Sequence, residues 1–207
     1  MDHKIMSWNI RGLVHDSKLN AIRNAILKNN PTICTNQESK KEKVNENLIR
    51  SLWGSNRCNY IFVASKGASG GIIFMWKEGI VHMEDHLLGA FSVSIKIRNA
   101  SDNFVWLFTS VYGASDSGYY NQFWQKLRDI RILFDDPWLI GRDFNAILPA
   151  DERNIPDGAL RNRKSFRAFV NKFSLIDLPM AGGRFTWTNS QQQPAYQILL
   201  LQGLDLV

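Results

Sequence analysis

The chain has 207 residues, which at roughly 150 residues per domain favours one large domain over two small ones. Its 44% hydrophobic and 12% aromatic content can fill a core of that size, which excludes intrinsic disorder as the overall state. Lys and Arg number 25 against 19 Asp and Glu, and the resulting charge of +6 points toward polyanionic partners such as nucleic acid.

Residues 4–9 read as a strand, followed by a helix that Ser17 would cap and that runs to Asn29 with Leu19, Ile22 and Ile26 on one face. Pro31 stops that helix, and residues 32–36 form a second buried strand. A β-helix-β opening predicts parallel strands joined by a right-handed crossover. Residues 60–64, 71–76, 80–86, 91–97 and 104–112 are strand-like runs split by Gly, Asn, Asp and Ser turns, so an antiparallel meander is expected there. Helical spacing returns over 119–134 through Phe123, Leu127, Ile130 and Leu133, until Asp136-Pro137 breaks it ahead of a short strand at 138–141. Residues 163–174 repeat the helix signal, 183–188 look like a last strand, and 190–194 a polar loop. With no internal repeat or long linker, the expectation is one domain over 1–207, an α/β sandwich of two mixed, largely antiparallel sheets flanked by helices.

The two cysteines, Cys34 and Cys58, supply no disulfide framework and fit a reducing compartment. The apolar runs at 70–76 and 198–201 fall far below the roughly 20 residues of a membrane-spanning helix. The N-terminus Met-Asp-His-Lys lacks the apolar region of a signal peptide, so an intracellular protein without membrane contact is expected.

Chemistry is sought at strand ends, where loops project functional groups from a rigid frame. Asn9 follows the first strand in Trp8-Asn9-Ile10-Arg11-Gly12, Gln37-Glu38 follows the second, Tyr112-Gly113 ends the meander, and Asp143-Phe144-Asn145 follows residues 138–141. Each has a plain alternative: turn chemistry for Asn9, Asp143 and Asn145, a surface ion pair with Lys40, Lys41 or Lys43 for Glu38, and a core-edge aromatic for Tyr112.

Taken in order, strand-W-N-x-R-G, strand-Q-E, strand-V-Y-G and W-x-x-G-x-D-F-N resemble the endonuclease/exonuclease/phosphatase superfamily, in particular the endonuclease domain of plant LINE-type (non-LTR) retrotransposons. The likeness extends through Ser69-Gly70-Gly71-Ile72 and Gly182-Gly183-Arg184-Phe185-Thr186-Trp187. It implies a DNase I-like fold and Mg²⁺-dependent phosphodiester hydrolysis, with Mn²⁺ as an alternative ion. By that resemblance Glu38 is the metal-holding carboxylate and Asn9 an amide that helps set the metal site. Asp143 orients or deprotonates the attacking water, while Asn145 and Tyr112 hold phosphate oxygens. Thr186, Trp187, Arg184 and Arg11 stand at positions that lie near phosphate or DNA. The implied partners are DNA, in an intracellular and nuclear setting, and the reverse transcriptase region of a longer polyprotein.

The pattern has departures. The family's closing Ser-Asp-His-type element is missing before Val207, and none of His3, His15, His82 or His86 takes its place, so a domain truncated at its C-terminus and impaired in activity is expected. Leu204-Asp205-Leu206-Val207 only echoes the Leu-Asp-Arg-Phe segment of plant relatives, and Asp205 is given no role. Arg142 replaces a glycine beside Asp143: turned inward it would pair with that carboxylate, and a left-handed backbone there would be strained. Thr35 and Asn36 make the second strand more polar than its relatives, which together with Arg142 reads as relaxed selection. His82 and His86 have helical metal-ligand spacing in a strand-like context, so zinc binding there is not expected. Two other readings are a non-catalytic nucleic-acid-binding module using Lys40, Lys41, Lys43, Arg161, Arg163, Lys164 and Arg167, and a small-substrate phosphatase of the same superfamily.

Overall fold

A computed structural model describes residues 3–55, 57–65, 70–113, 119–143, 163–177, 187–188, 196–197 and 202–203. Two sheets pack face to face, each with helices on its outer side, as the sequence leads one to expect.

The first sheet has the order β1-β2-β4-β3, with β1 at Ile5–Asn9, β2 at Ile33–Gln37, β3 at Cys58–Val63 and β4 at Ile72–Lys77. Helix α1 (Asp16–Asn29) links β1 to β2, which pair in parallel; the other two pairings are antiparallel. The N-cap of α1 is His15 rather than Ser17, which lies inside the helix, and no side chain caps the turn. Asn30 closes α1 in the left-handed conformation (φ 48°), one residue before Pro31. Sequence reading missed α2 (Glu46–Trp53), although its signals are present. The Asn45 side chain accepts from Leu48 N at 3.0 Å, Gly54 closes the helix at φ 84°, and Ile49, Leu52 and Trp53 are buried.

The second sheet has the order β5-β6-β7-β8-β12-β9: β5 (Val81–Leu88), β6 (Ser92–Asn99), β7 (Val105–Tyr112), β8 (Trp138–Asp143), β9 (Ile176–Asp177) and β12 (Gln202–Gly203). The expected single meander is in fact divided: β3 and β4 belong to the first sheet and only β5 to β7 form a meander in the second. The turn at Glu78 to Ile80, with Gly79 at φ 76°, carries the chain from one sheet to the other. β7 and β8 are parallel, joined through α3 (Tyr120–Leu133), while α4 (Arg163–Lys172) follows β8. On α3 the buried stripe is Phe123, Trp124, Leu127 and Ile130; Leu133, expected on that face, is exposed. Strands β10 (Trp187–Thr188) and β11 (Tyr196–Gln197) form a separate antiparallel pair, so the last strand expected over 183–188 is described only at its end.

Three apolar layers result. Ile22, Ile26, Ile49 and Leu52 cover the first sheet, Phe123, Trp124, Phe166 and Phe169 cover the second, and Ile33, Phe74, Ile95 and Phe108 fill the space between the sheets. Cys34 and Cys58 are free thiols beneath the first helix layer. Burial pushes Cys58 up to about 12, and raises Cys34 further in the same direction with the neighbouring Cys58 adding to it. Among the described residues no helix is long and apolar enough to cross a membrane.

Candidate active site

The strands that carry the candidate residues run the same way in both sheets. At one end His3 lies 6.2 Å from Trp106 between ring centroids, just before β1 and early on β7. Further along, Thr35 Oγ1 on β2 meets Ser110 Oγ on β7 at 2.5 Å, and a Cβ on Gly141 of β8 would come within 3.0 Å of Ser7 Oγ on β1. Asn9, Tyr112 and Asp143 each lie two residues beyond Ser7, Ser110 and Gly141, so β1, β7 and β8 bring all three to one end of the sandwich.

Asn9 and Glu38 are joined directly: Asn9 Nδ2 donates to Glu38 Oε1 at 2.6 Å. Asn9 Oδ1 in turn accepts from Arg11 N at 3.0 Å, which fixes which edge of the amide faces the carboxylate. Both side chains are half-buried, and among the described residues Asn9 is the one hydrogen-bond donor to the Glu38 side chain. The alternative reading of Glu38, a surface ion pair with the following lysines, is not met among the described residues. Tyr112, half-buried, stands opposite Asp143 in the parallel register of β7 and β8.

Backbone strain gathers at this end of the first sheet. Arg11, Glu38 and Lys40 have φ of 50°, 52° and 54°, and Gly12, Gly70 and Gly71 are also left-handed. The kinked loops are tied to each other by Leu13 N to Ser39 O at 2.9 Å, Ser39 N to Gly71 O at 2.9 Å and Lys40 N to Gly70 O at 3.0 Å. Gly71 is required by space as well as φ, because a Cβ there would lie 2.5 Å from Ser39 Oγ.

Of the other candidates, Arg11 is exposed beside Asn9, and Trp187 lies on β10, outside the two main sheets. Asn145, Arg184, Thr186 and Asp205, as well as the loop at 190–194, lie outside the described residues. Arg142 continues β8 opposite Val111, so it takes extended backbone and the left-handed strain considered for it does not arise. Thr35 proves to be the polar partner of Ser110 between the sheets, a structural use for a residue that looked out of place. Asn36 is buried on the opposite face beside Cys34. His82 and His86 sit on β5 opposite Arg98 and Ile95, with a bulge between Met83 and Asp85, which removes the helical spacing a zinc pair needs. Sequence reading gave no role to Ser7, Thr35, Gln37 and Ser110, whose alternate-residue spacing on three strands was the available signal.

A model of the Endonuclease/Exonuclease/phosphatase family matches residues 6–198. The chain belongs to that family. Members of the family are hydrolases that include nucleases and phosphatases. No curated protein matches the sequence. Among solved structures, an AP endonuclease, LMAP, from Leishmania major is similar at 15% identity and a TM-score of 0.76, over 97% of this chain and 78% of that one. The endonuclease domain of TRAS1, a telomere-specific non-LTR retrotransposon, is similar at 11% identity and a TM-score of 0.68, over 99% and 86%. The mannosyl-6-phosphatase Bt3783 of Bacteroides thetaiotaomicron VPI-5482 is similar at 13% identity and a TM-score of 0.66, over 98% and 85%. These likenesses establish the DNase I-like sandwich.

The donor set at the Asn9–Glu38 end of this family member is oxygen-based and small, and no cluster of three His, Cys, Asp or Glu occurs among the described residues. One carboxylate with an orienting amide fits an ion such as Mg²⁺, which keeps several waters and takes few protein ligands, and suits Zn²⁺ poorly.

Proposed function

We propose that this family member is a Mg²⁺-dependent phosphodiesterase that nicks DNA, the endonuclease domain of a plant LINE-type retrotransposon. The observation that carries the reading is the 2.6 Å bond between Asn9 and Glu38, two residues 29 apart in sequence that the family motif puts to work together. The W-N-x-R-G, Q-E, Y-G and G-x-D-F-N series, the +6 charge and the likeness to the TRAS1 domain support the same substrate class.

In this reading Glu38 holds the divalent ion, Mg²⁺ or Mn²⁺, and Asn9 fixes the rotamer of that carboxylate. The bound ion supplies charge relief and polarises the phosphate. Asp143 orients and deprotonates the water, and the Tyr112 hydroxyl and Asn145 hold phosphate oxygens as charge develops on them. Arg11, Arg184, Thr186 and Trp187 contact the DNA.

A supercoiled-plasmid assay tests this. Nicking with Mg²⁺ should stop in EDTA, and Glu38→Ala and Asp143→Ala should each slow it by about 100-fold or more. Nicking that survives EDTA, or that neither substitution slows, would refute the mechanism. The phosphatase reading draws support from the Bacteroides structure; faster turnover of sugar or inositol phosphates than of DNA would establish it instead.

A further inference from the structure

We propose that Gln37 is a positioning residue, a buried clamp that binds the strands of both sheets together directly beneath the site and thereby holds Asn9 and Glu38 in their mutual geometry. The proposal deepens the metal-site reading above and rests on it for its functional consequence.

Gln37 is 1% exposed and immediately precedes Glu38. Its Nε2 donates to Ser7 Oγ at 2.8 Å and to Ser110 Oγ at 2.9 Å, so one amide joins β1, β2 and β7. Ser110 Oγ extends the link to Thr35 Oγ1. β8 is drawn in beside Ser7 at Gly141, where a Cβ would also meet the Phe108 ring at 2.7 Å. Every strand that ends in a candidate residue is therefore touched by this one layer, about one strand repeat below the site. The main chain completes the grip: Gln37 O accepts from Ile10 N at 3.0 Å. Gln37 thus holds β1 on both sides of Asn9, through Ser7 with its side chain and through Ile10 with its carbonyl.

Packing alone does not explain such a residue. With Nε2 serving both serines, Gln37 Oε1 is buried without a hydrogen-bond partner among the described residues. Turning the amide over would place Oε1 on the serines and orphan Nε2 instead. A methionine of similar length would fill the space with no unmet polar atom, so the amide's value lies in its fixed two-pronged geometry. That geometry matters because Glu38 leaves β2 at φ 52° and its carboxylate is held from β1 by Asn9, so the placement of β1 against β2 sets the pair.

The test uses Gln37→Met and, separately, Ser7→Ala/Ser110→Ala, with circular dichroism to confirm folding. Two quantities are read without reference to catalysis. The first is the side-chain amide resonance of Asn9, assigned by its loss in Asn9→Ala. The second is Mn²⁺ binding followed by water-proton relaxation. Both clamp variants should move the Asn9 resonance toward its position in Glu38→Ala and weaken Mn²⁺ binding by about 10- to 100-fold. Combining the two should weaken binding no further than the stronger one alone, because they remove the same link. An Asn9 resonance and Mn²⁺ affinity equal to those of the unaltered chain in folded variants would overturn the clamp while leaving the metal reading intact. Equal Mn²⁺ affinity in the unaltered chain and Glu38→Ala would overturn the metal reading, and the clamp's functional role with it; the Asn9 resonance then reports the mechanical link alone.

Discussion

The two sheets solve the same problem, covering one face with helices and meeting the other sheet with the second face, but with different materials. Beneath α1 and α2 the first sheet is covered by Ile22, Ile26, Ile49 and Leu52, with Trp53 the single aromatic ring among the buried residues of that layer. Beneath α3 and α4 the second sheet is covered by Phe123, Trp124, Phe166 and Phe169, with Trp124 and Phe166 stacked at 5.8 Å. The strand ends differ too. The first sheet ends in left-handed, mutually bonded loops around Glu38, whereas β7 and β8 run straight out to Tyr112 and Asp143 in unbroken register. The second sheet presents its residues from regular strands, and the first is where backbone strain is spent on aiming a carboxylate.

The sharpest way to break that contrast is through the helix layers. Trp124→Ala should cost about 3–5 kcal/mol, because a wholly buried ring with several aromatic neighbours leaves a cavity that they cannot close. Ile22→Val should cost only about 0.5–1.5 kcal/mol. Denaturant midpoints measure both, and a Trp124→Ala loss no larger than that of Ile22→Val would show that the aromatic layer collapses into the cavity instead of holding it open.

Glycines test the strand ends. Gly141→Ala should cost about 1–3 kcal/mol by overpacking, since its Cβ would press on Phe108 and Ser7 between the sheets. Gly71→Ala combines a close approach to Ser39 with φ 84°, whereas Gly70→Ala meets nothing within 4 Å among the described residues and pays for φ 77°, roughly 1–2 kcal/mol. The order Gly71 above Gly70 in thermal melts is the expected outcome; equal losses would mean that the loops shift freely and hold no strain.

The same contrast explains what could be read from residues alone. Strands such as β4 and β7 are legible because their apolar runs are bounded by turn residues, and the candidate site is legible because its residues follow such strands. Helix α2 was overlooked since it is only 8 residues long, and its Asn45 and Gly54 caps stand out only once both ends are taken together. The division of the meander between two sheets follows from a three-residue turn at Gly79, which local pattern does not distinguish from a hairpin. Thr35 looked like a blemish because its partner, Ser110, is 75 residues away. Long-range polar pairs of this kind have no local signature.

The Asn45→Ala substitution isolates a smaller part of the first helix layer. Its loss should cost about 1 kcal/mol by removing the acceptor for Leu48 N, and Asn45→Ser should restore most of it. A melt unchanged by Asn45→Ala would show that tertiary packing of Ile49 and Leu52 alone holds α2.

The smallest effect concerns the thiols, and it reports on the first sheet alone, because Cys34 and Cys58 are the chain's two cysteines and both lie under α1 and α2. Burial raises Cys58 from 9.0 to about 12, so the folded state keeps a proton that the unfolded state releases near pH 9. A group raised on folding contributes stability that is intact below its unfolded value and is lost as pH climbs from there toward about 12. Between pH 7 and about 8.5 Cys58→Ser should therefore leave the pH dependence of the denaturant midpoint unchanged, while above that range it should flatten the decline. Iodoacetamide at pH 8 should label the buried Cys34 slowly in the folded chain and both thiols quickly in urea, since the reactive thiolate is scarce when a thiol is buried. Fast labelling of Cys34 in the folded state would mean that the first sheet opens from its helices far more readily than the contacts around Ile22 and Leu52 allow.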